Sequence, residues 1–441
     1  MKLLLAALSG VRVYNQALLE LGLTLPGFVE RSQVIASLPS LGLLTLAALT
    51  PPKWEVVYRD FDALDEPELL WIEQQGFDLV AISALTARIL EAYRMADFLR
   101  GNGLTVVLGG LHVTALPWEA QPHADALVVG EGEPVWAELL QDYQDGRLQP
   151  VYNSQSRSRR DYLLSDSPIP AYELLQLDNY NRLTLQTTRG CPLDCEFCAA
   201  SRMLSAYKKK PLERIRAEVE RILELWPRPF LELADDNTFV SKPWGRALAG
   251  LLAEYPLKWF SECDISVADD EELLELLARS NCAQLLIGLE AAEPEALQHL
   301  DSRNWKYDQF DAYQRKIDKI QSYGISVNGC FILGLDSHTE SSFEVTRQYL
   351  ESCSLAEVQI TLLTPFPGTA LERRLRRDGR LLKPVYWEQC TLFDVTFRPK
   401  NMRPEELEAG FMRLMTSTYT EFARARRATI FRQCRRGRRP A

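Results

Sequence analysis

Three cysteines near the middle of the chain are the residues whose type and spacing most directly predict chemistry. Cys191, Cys195 and Cys198 have the spacing C-x-x-x-C-x-x-C, with no fourth cysteine beside them. A four-iron cluster takes four ligands. Three thiolates therefore hold such a cluster and leave one iron open to a substrate or cofactor, which is what redox chemistry at the cluster needs.

A structural zinc site and three buried thiols are the alternatives to a cluster. Zinc usually needs a fourth Cys or His ligand at a matching spacing. The nearest histidines, His123 and His299, are distant in sequence, and the next cysteine is Cys263. The spacing consequently favours an iron-sulfur cluster over zinc.

The composition is that of an ordinary globular protein. With 441 residues, of which 46% are hydrophobic and 25% are charged, the chain is long enough for two or three domains with their own cores. The other cysteines stand singly, at positions 263, 282, 330, 353, 390 and 434, and predict no disulfide framework. A reducing cytoplasm is therefore the expected location. An oxygen-labile cluster would also require a reducing environment.

The two termini raise the questions of targeting and of binding to nucleic acid or membranes. The N-terminal apolar run is short and ends at Ser9-Gly10, which is typical of a buried first strand rather than a signal peptide, and no transmembrane segment is predicted. The net charge is −10, yet the C-terminal tail is rich in arginine. Its arginines are Arg424, Arg426, Arg427, Arg432, Arg435, Arg436, Arg438 and Arg439. A solvated terminus and a contact with nucleic acid or an anionic membrane are the alternatives for this tail.

Short apolar runs alternate with helical segments over residues 1–150. The predicted strands, each typical of a parallel strand buried on both faces, are 3–8, 54–58, 79–83, 105–109 and 126–129. A helical periodicity occupies residues 87–100. This alternation predicts a Rossmann-like, doubly wound parallel sheet whose ligand lies beyond the carboxyl ends of the strands.

A second β/α alternation follows a predicted linker at residues 151–182, which is rich in Ser and Pro. The strands predicted for this second half are 183–188, 230–234, 258–263, 284–289, 326–333 and 357–363, with helices at 211–225, 270–280 and 307–323 among the segments between them. Residues 183–380 thus contain six β/α units, and residues 381–441 are predicted to form a small helical extension.

The cysteine motif and the six β/α units together resemble the radical S-adenosylmethionine (SAM) superfamily. The resemblance implies an α/β fold in which a partial (β/α)6 TIM-type barrel follows the N-terminal sheet, with the chemistry at the carboxyl ends of the barrel strands. It also implies that the open iron of the [4Fe-4S] cluster chelates SAM before SAM is cleaved to a 5′-deoxyadenosyl radical.

The same resemblance implies which residues contact SAM. Phe197 occupies the position whose backbone contacts adenine in family members, and a carboxylate at the second strand end orients the SAM ammonium. The carboxylate of Glu290, at the fourth strand end, would accept hydrogen bonds from the ribose. The full predicted set is Phe197, Asp235, Asp236, Asn237, Glu262, Glu290, Ile332 and Gly334. Capping of the next helix is the alternative for each residue of the Asp-Asp-Asn run, and Cys330 departs from a Gly-x-Ile-x-Gly pattern of the family.

The N-terminal half resembles the cobalamin-binding domain that precedes the barrel in one branch of the superfamily. The resemblance depends on its architecture and on the motifs Pro-Ser-Leu-Gly at 39–42, Gly-Gly-Leu-His at 109–112 and Val-Gly-Glu-Gly-Glu at 129–133, although each glycine pair could serve a tight turn. The residues implied for cobalamin are Leu41, Gly42, Ser83, Thr86, Gly109, Gly110, His112, Gly130 and Glu131. Residues 1–150 are thus predicted to bind cobalamin, and residues 183–380 to form the radical SAM core.

The Asp-x-His-x-x-Gly sequence with which many cobalamin proteins ligate cobalt from below is missing from this sequence. The run from Tyr58 to Asp62 occupies the strand end where it would lie. His112 is the one histidine in a predicted ligand-facing loop, and a lone histidine there more often forms hydrogen bonds than binds a metal. We therefore expect cobalamin to bind with its base displaced and with no protein nitrogen on cobalt.

The combined resemblance implies a cobalamin-dependent methyltransferase that acts on an unactivated carbon of a small metabolite, lipid or natural-product intermediate. One SAM would methylate reduced cobalamin, and a second SAM would yield the radical that abstracts a substrate hydrogen. The substrate radical would then take the methyl group. The implied cofactors are a [4Fe-4S] cluster, SAM and cobalamin, and the implied partner is an electron donor such as a flavodoxin or ferredoxin.

Other functions are compatible with parts of this pattern. A radical SAM cyclase or ring-rearranging enzyme would have the same two domains. A methylthiotransferase usually carries further cysteines in its N-terminal domain, whereas no cysteine precedes Cys191. From a different class, a cobalamin-binding redox sensor or regulator could use the arginine-rich tail on nucleic acid. Turnover of SAM would separate an enzyme from such a sensor.

Overall fold

A computed structural model describes residues 1–10, 38–156, 162–199 and 203–437 of the chain. These residues form two compact units. The first comprises the described residues up to Gly190 together with 199 and 203–227, and the second comprises Cys191–Cys198 and the chain from Arg228 onward. Arg438 and Arg439 of the tail lie outside the described residues.

The first unit is built on a six-stranded parallel sheet. Its strands are β1 (Lys2–Leu8), β2 (Glu55–Asp60), β3 (Leu79–Ala84), β4 (Thr105–Gly109), β5 (Ala126–Val129) and β6 (Val151–Asn153). They lie in the order β2-β1-β3-β4-β5-β6 and pair in parallel. Residues 3–8 of β1 are fully buried, as a central strand covered on both faces requires. The predicted doubly wound sheet is confirmed.

Helices complete the first unit. They are α1 (Leu41–Leu49), α2 (Glu66–Gln74), α3 (Ile89–Gly101), α4 (Leu111–Ala115), α5 (Pro117–Ala120), α6 (Glu133–Gln144) and α7 (Leu212–Leu225). Asp65 caps α2, because its side chain accepts a hydrogen bond from the Glu68 amide. The strand order changes direction between β1 and β3, and doubly wound sheets bind ligands beyond the strand ends at such a point.

Two segments of the first unit differ from their predictions. The predicted linker at 151–182 begins with β6, an edge strand of three residues that is too short to carry an alternating pattern. The strand predicted at 183–188 is divided into β7 (Leu183–Leu185) and β8 (Thr188–Arg189), and β8 pairs antiparallel with β9 (Lys208–Lys209). The cysteine motif therefore lies in the connection between two antiparallel strands.

The second unit contributes five parallel strands with helices between them. The strands are β10 (Phe230–Leu233), β11 (Lys258–Cys263), β12 (Cys282–Glu290), β13 (Ser326–Leu333) and β14 (Glu357–Leu362). Each strand pairs in parallel with the next along the chain. The helices are α8 (Lys242–Leu252), α9 (Glu271–Arg279), α10 (Pro294–Leu297), α11 (Trp305–Gln309), α12 (Tyr313–Ser322), α13 (Ser341–Ser352) and α14 (Ala370–Arg377). Helical crossovers between consecutive parallel strands are the pattern of a β/α barrel.

The helix predicted at 307–323 is two helices, α11 and α12, joined by a 3-10 turn at Phe310–Ala312. α11 starts after Asn304, which has a left-handed φ of +53°. The C-terminal extension contains α15 (Pro404–Thr418) and α16 (Glu421–Gly437). Before these helices the extension is mostly irregular, with an isolated antiparallel bridge between Leu381 and Phe397.

Candidate functional site

The three cysteines occupy an irregular loop at the start of the second unit. Cys191 and Cys195 are partly buried, and Cys198 is exposed. A turn brings the last two cysteines close together, because the Cys198 amide donates to the Cys195 carbonyl oxygen at 3.2 Å. Cys198 is thus the most accessible of the three cysteines.

An ion-pair chain that the sequence did not reveal anchors this loop. The Glu196 carboxylate accepts hydrogen bonds from Nε and Nη2 of Arg374, at 3.1 and 2.6 Å, and Arg374 also donates to Asp336 at 2.6 Å. Arg380 donates to the other oxygen of Asp336 at 2.8 Å. The Glu196 amide in turn donates to the Leu300 carbonyl at 3.0 Å. Bidentate pairs of this kind fix geometry, so the residue after the second cysteine has a defined position.

Burial shapes the acidity of the cysteine thiols. It raises the pKa of Cys195 to about 12 and also raises the pKa of Cys191. The Lys306 ammonium opposes this rise at Cys195, and a hydrogen bond from Asn237 opposes it at Cys191. Iron binds the thiolate, so metal binding must displace these protons. The neighbouring cation and amide lower the cost of that displacement.

Among the described residues, no three Cys, His, Asp or Glu side chains are grouped closely enough to share one metal ion. The cysteine ligands of a four-iron cluster bind different iron atoms.

The residues after β10 contact the first cysteine. Asn237 is buried, and its Nδ2 lies 3.9 Å from Cys191 Sγ and 2.9 Å from a carboxylate oxygen of Asp264. Asp235 is also buried and accepts a 3.0 Å hydrogen bond from Thr238. Asp236 is only half-buried. Of the predicted Asp-Asp-Asn set, Asn237 thus reaches the cysteine loop, and Asp236 is the more accessible carboxylate.

Asp236→Ala is expected to lower the affinity for SAM at least about tenfold while the iron content stays unchanged. A hydrogen bond to a charged group is worth roughly 1.5–3 kcal/mol, and this carboxylate is predicted to accept one from the SAM ammonium. Equilibrium dialysis with the reconstituted protein measures the affinity. Asp235→Ala serves as the comparison, since Asp235 already accepts from Thr238. Unchanged affinity in both variants would place the ammonium site elsewhere.

Glu290 ends β12 in a strained conformation. Its φ is +68°, in the left-handed region that costs a non-glycine residue about 1–3 kcal/mol. The buried carboxylate accepts a hydrogen bond from Lys306 Nζ at 2.7 Å, and Nζ also donates to the Gly288 carbonyl at 3.0 Å. A Cβ on Gly288 would lie 2.3 Å from Glu290 Oε1, so this arrangement requires glycine there. Glu290, predicted to bind ribose, thus uses one oxygen in a buried ion pair.

Glu262, near the end of β11, holds its proton more tightly than a free carboxyl does. Burial raises the pKa of its carboxyl to about 8, and the nearby carboxylates of Glu232, Asp236 and Asp235 add to the rise. A neutral carboxyl can donate a hydrogen bond as well as accept one. Its contact with SAM stays a prediction.

We expect wild-type protein to lose stability relative to Glu262→Gln as the pH rises from about 5 to about 9. The folded state holds this proton more tightly than the unfolded chain, whose pKa is about 4.3. The resulting stabilisation is complete below the unfolded pKa and is lost as the pH rises through the folded pKa of about 8. Melting temperatures of the two proteins across this range should diverge with rising pH. Parallel profiles would contradict the assigned protonation state.

The remaining residues predicted for SAM lie in the second unit. Phe197 and Ile332 are half-buried. Gly334 follows β13 with a φ of +93°, and a Cβ there would lie 3.0 Å from Leu407 and 3.2 Å from Phe397. Packing against the C-terminal extension accounts for this glycine, and its predicted contact with adenine stays a prediction.

Two glycines with positive φ follow neighbouring strands of the first unit. Gly110 follows β4 with a φ of +109°, and Gly130 follows β5 with a φ of +86°. A Cβ on Gly110 would lie 3.2 Å from Oγ of Ser83 at the end of β3, and one on Gly130 would lie 2.4 Å from Ser154 Oγ. Both positions therefore favour glycine. Gly110 is partly exposed and open to a ligand, whereas Gly130 is buried, and its contact with cobalamin stays a prediction.

Other residues predicted for cobalamin lie around the same strand ends. Leu41 and Gly42 begin α1, and a Cβ on Gly42 would meet nothing within 4 Å. Thr86 follows β3 and Gly109 ends β4, and both are partly exposed. Each of these residues is accessible within its unit, as a ligand contact requires.

Two residues predicted to contact cobalamin have structural partners instead. His112 lies inside α4 with 1% of its surface exposed, and its Nε2 is 3.1 Å from Glu119 Oε1. The predicted loop is a short helix after Gly110, which turns the imidazole inward. Glu131 is buried as well, and its carboxylate accepts from Arg189 and Lys208, each at 2.7 Å. Sequence reasoning did not reveal these ion pairs, because their partners lie 58 and 77 residues away.

A hydrogen-bonded cluster stands at the end of β2. Asp60 accepts from Ser9 Oγ at 3.1 Å, from Tyr58 at 2.9 Å and from Tyr180. Burial raises the pKa of Asp60, and these hydrogen bonds oppose the rise. The cluster borders a cavity of about 670 Å³. Asp60 thus holds the three hydroxyl groups together at the strand end where the axial-histidine sequence would lie.

Comparisons with known proteins distinguish between the families compatible with these features. Residues 185–350 match the radical SAM superfamily, and residues 33–140 match the B12 binding domain. The chain belongs to the radical SAM enzymes that carry a B12-binding domain. It is 28% identical to the bacteriochlorophyllide d C-12(1)-methyltransferase of Chlorobaculum tepidum, over 86% of this chain and 82% of that protein. It is 30% identical to the hopanoid C-2 methylase of Rhodopseudomonas palustris, over 79% of this chain and 66% of that protein.

Further comparisons place this radical SAM enzyme within its family. An anaerobic magnesium-protoporphyrin IX monomethyl ester cyclase of Rubrivivax gelatinosus is 24% identical over 76% of this chain and 63% of that protein. The radical SAM methyltransferase TsrM from Kitasatospora setae, solved with cobalamin and a [4Fe-4S] cluster, has a TM-score of 0.70 at 16% identity and covers 99% of both chains. This likeness confirms the predicted fold class.

Family membership also confirms the predicted cofactors of this B12-binding radical SAM enzyme. Membership of the radical SAM superfamily implies a [4Fe-4S] cluster and SAM, and the B12 binding domain implies cobalamin. In the parts of the chain that the structure describes, no helix is long and apolar enough to cross a membrane.

Proposed function

We propose that this enzyme transfers a methyl group from SAM, through cobalamin, to an unactivated carbon of a small molecule. The observation that carries the proposal is the similarity to a bacteriochlorophyllide methyltransferase over 82% of that protein, which extends across both matched domains. The hopanoid methylase points to the same reaction type with a different substrate by name. The substrate class is therefore left open between tetrapyrroles, lipids and other small molecules.

A radical cyclase is the second candidate, because a cyclase is among the relatives at 24% identity. That identity is lower than the 28% and 30% found for the two methyltransferases, and it covers less of this chain. Methyl transfer is accordingly the better-supported reaction.

The proposed division of labour follows the chain. Residues 1–150 bind cobalamin at the strand ends around Gly110, residues 183–380 hold the cluster and SAM, and residues 151–182 link them. When bound, the cofactors supply reductive cleavage of SAM and a transferable methyl group. The three cysteines ligate iron, and the Glu196–Arg374 pair fixes their loop. Asp236 would accept a hydrogen bond from the SAM ammonium and so help to orient SAM at the cluster.

The reductive step needs an electron from outside the chain. We propose that a flavodoxin or ferredoxin donates this electron and that the enzyme works in a reducing cytoplasm. The scattered thiols support that setting, since Cys282, Cys353 and Cys390 are all free and buried.

Labelled SAM distinguishes methyl transfer from cyclisation and from sensing. Reconstituted enzyme is incubated anaerobically with a reductant and with SAM whose methyl group carries deuterium. We expect 5′-deoxyadenosine to accumulate and the label to be recovered on the protein-bound cobalamin by mass spectrometry. Unlabelled cobalamin, with SAM cleaved, would overturn the methyltransferase proposal and favour the cyclase.

We expect bound cobalamin to have no protein nitrogen on cobalt. The described part of the first unit holds two histidines, of which His112 pairs with Glu119 at 3.1 Å and His123 pairs with Asp97 at 2.9 Å. Both imidazoles already have carboxylate partners. Electron paramagnetic resonance of the Co(II) form should show no threefold nitrogen splitting, and His112→Ala should leave the spectrum unaltered. Threefold splitting that His112→Ala removes would contradict this expectation.

A further inference from the structure

The second unit contains a cavity that the proposed reaction does not use. It has a volume of about 410 Å³ and lies beside α13, the end of α15 and the start of α16. Three arginines, Arg347, Arg426 and Arg427, and the hydroxyl-bearing residues Ser417, Thr418 and Thr420 line it. Glu351 supplies the one carboxylate among its described lining residues. The lining is therefore rich in donors for an anion.

Arg427 is the unusual residue of this cavity. Only 4% of its surface is exposed, and its Nη1 donates to the Thr418 carbonyl at 2.9 Å. Its Nε and Nη2 are buried and have no hydrogen-bond partner among the residues that the structure describes. A guanidinium stays charged in proteins, and a buried donor without a partner destabilises the fold. Such a residue needs an acceptor from outside its own chain segment.

The two unpaired donors share one edge of the guanidinium group. Nε–H and the neighbouring Nη2–H point in parallel, which is the fork that binds two oxygens of a carboxylate or phosphate side by side. The third nitrogen, Nη1, is the one that Thr418 occupies. The Thr418 carbonyl thus binds the one guanidinium nitrogen that lies outside the Nε–Nη2 edge.

The surrounding charges favour an anion. Arg347 is neutralised, because it pairs with Glu344 at 2.7 Å and with Glu351 at 2.5 Å. Arg426 is exposed and donates to the Glu351 carbonyl, which does not offset its charge. The lining itself carries three arginines against the one carboxylate of Glu351, and the carboxylates of Glu344 and Glu357, which are not lining residues, reduce this positive excess. A phosphate, which accepts hydrogen bonds in several directions, uses both Arg426 and Arg427 better than a planar carboxylate does.

We propose that this cavity binds the phosphate group of a phosphate ester, with the Nε–Nη2 edge of Arg427 as the buried anchor and Arg426 as the outer contact. The ester is either a soluble metabolite or a phospholipid headgroup. Phe422 stands at the rim with 80% of its surface exposed, beside a helix rich in arginine, and this arrangement suits a lipid surface. The site is independent of the proposed methyl transfer.

Binding is tested on the full-length reconstituted enzyme. Melting temperature is followed with glycerol 3-phosphate and with sodium chloride at equal ionic strength, and titration calorimetry gives the affinity. We expect the ester, and not chloride, to raise the melting temperature. Arg427→Met should weaken binding at least tenfold, and Arg427→Lys, which keeps the charge without the fork, should weaken it nearly as much. No ester-specific rise in wild type, and no vesicle binding as described below, would overturn the proposal.

Two further variants keep the test decisive. Arg426→Met removes an exposed lining residue, so its fold should be intact, and it should weaken binding several-fold. Arg432→Met removes an exposed arginine of the same helix that does not line the cavity, and it should bind as wild type does. Equal loss in Arg432→Met and Arg427→Met would show non-specific attraction to the arginine-rich helix and overturn the site.

Vesicles separate the two sources of phosphate. Sedimentation with phosphatidic acid in phosphatidylcholine, against phosphatidylcholine alone, reports a lipid headgroup. Binding to those vesicles that is lost in Arg427→Met assigns the lipid source, whereas binding of glycerol 3-phosphate without the vesicles assigns a soluble ester. Each outcome identifies the occupant of the same Arg427 site.

Discussion

Replacement of any one of Cys191, Cys195 and Cys198 by alanine is expected to abolish SAM cleavage. A cluster that already lacks one protein ligand cannot lose a second and keep a defined open iron. The loop is held in place by the Glu196–Arg374 pair, with bonds of 2.6 and 3.1 Å, so removal of a thiol is not compensated by movement of its neighbours. Reconstituted wild type should contain about four irons and four sulfides. Metal analysis measures the iron content, and an anaerobic assay of 5′-deoxyadenosine measures SAM cleavage.

Cysteines outside the loop provide the matched controls. Cys282 and Cys353 are buried, at 4% and 3% exposure, and their thiols lie near backbone carbonyl oxygens of their own segments. Alanine at either position should leave iron content and SAM cleavage intact. Iron loading and cleavage that survive all three single changes in the loop would refute the cluster assignment.

The fold was predictable from the sequence where local pattern determines structure. Strands β4, β11 and β13 have the predicted bounds, because each is an apolar or alternating run that ends at a turn signal. The edge strand β6 was not predicted, since three residues carry no period. The helix predicted at 307–323 failed for a different reason. A 3-10 turn at Phe310–Ala312 divides it into two helices, and the spacing of apolar residues does not register that turn.

The candidate site was likewise predictable only in part. Motifs made of adjacent residues, such as the cysteine loop and the Asp-Asp-Asn run after β10, were visible because their members are neighbours in the chain. Their supports were not visible, since Glu196 and Arg374 are 178 residues apart. His112 and Glu131 were assigned to cobalamin because they stand beside glycine pairs, but burial and carboxylate or cationic partners decide their roles. Composition around a motif cannot report which way a side chain turns.

Lys306→Met is expected to destabilise the second unit by about 3–5 kcal/mol, the typical cost of removing one partner from a buried ion pair. The Lys306 and Glu290 side chains are 6% and 9% exposed and 2.7 Å apart. Methionine would leave the carboxylate buried and unpaired, beside a thiol, Cys195, whose proton the lysine helps to displace. The double variant Glu290→Gln/Lys306→Met should recover part of the loss, because it removes the orphaned charge as well.

The matched control for this prediction is an exposed pair in the same unit. Lys319 lies 3.0 Å from Glu271, with the two side chains 34% and 72% exposed, and such a pair contributes about 0–1 kcal/mol. Hydrogen exchange of slow amides in β12 measures local stability in each variant. If Lys306→Met costs no more than Lys319→Met, the Glu290 carboxylate is not buried as described. If it costs several kcal/mol more, the strained end of β12 is held by this pair, and the same lysine that fixes Glu290 also sets the charge beside the second cysteine.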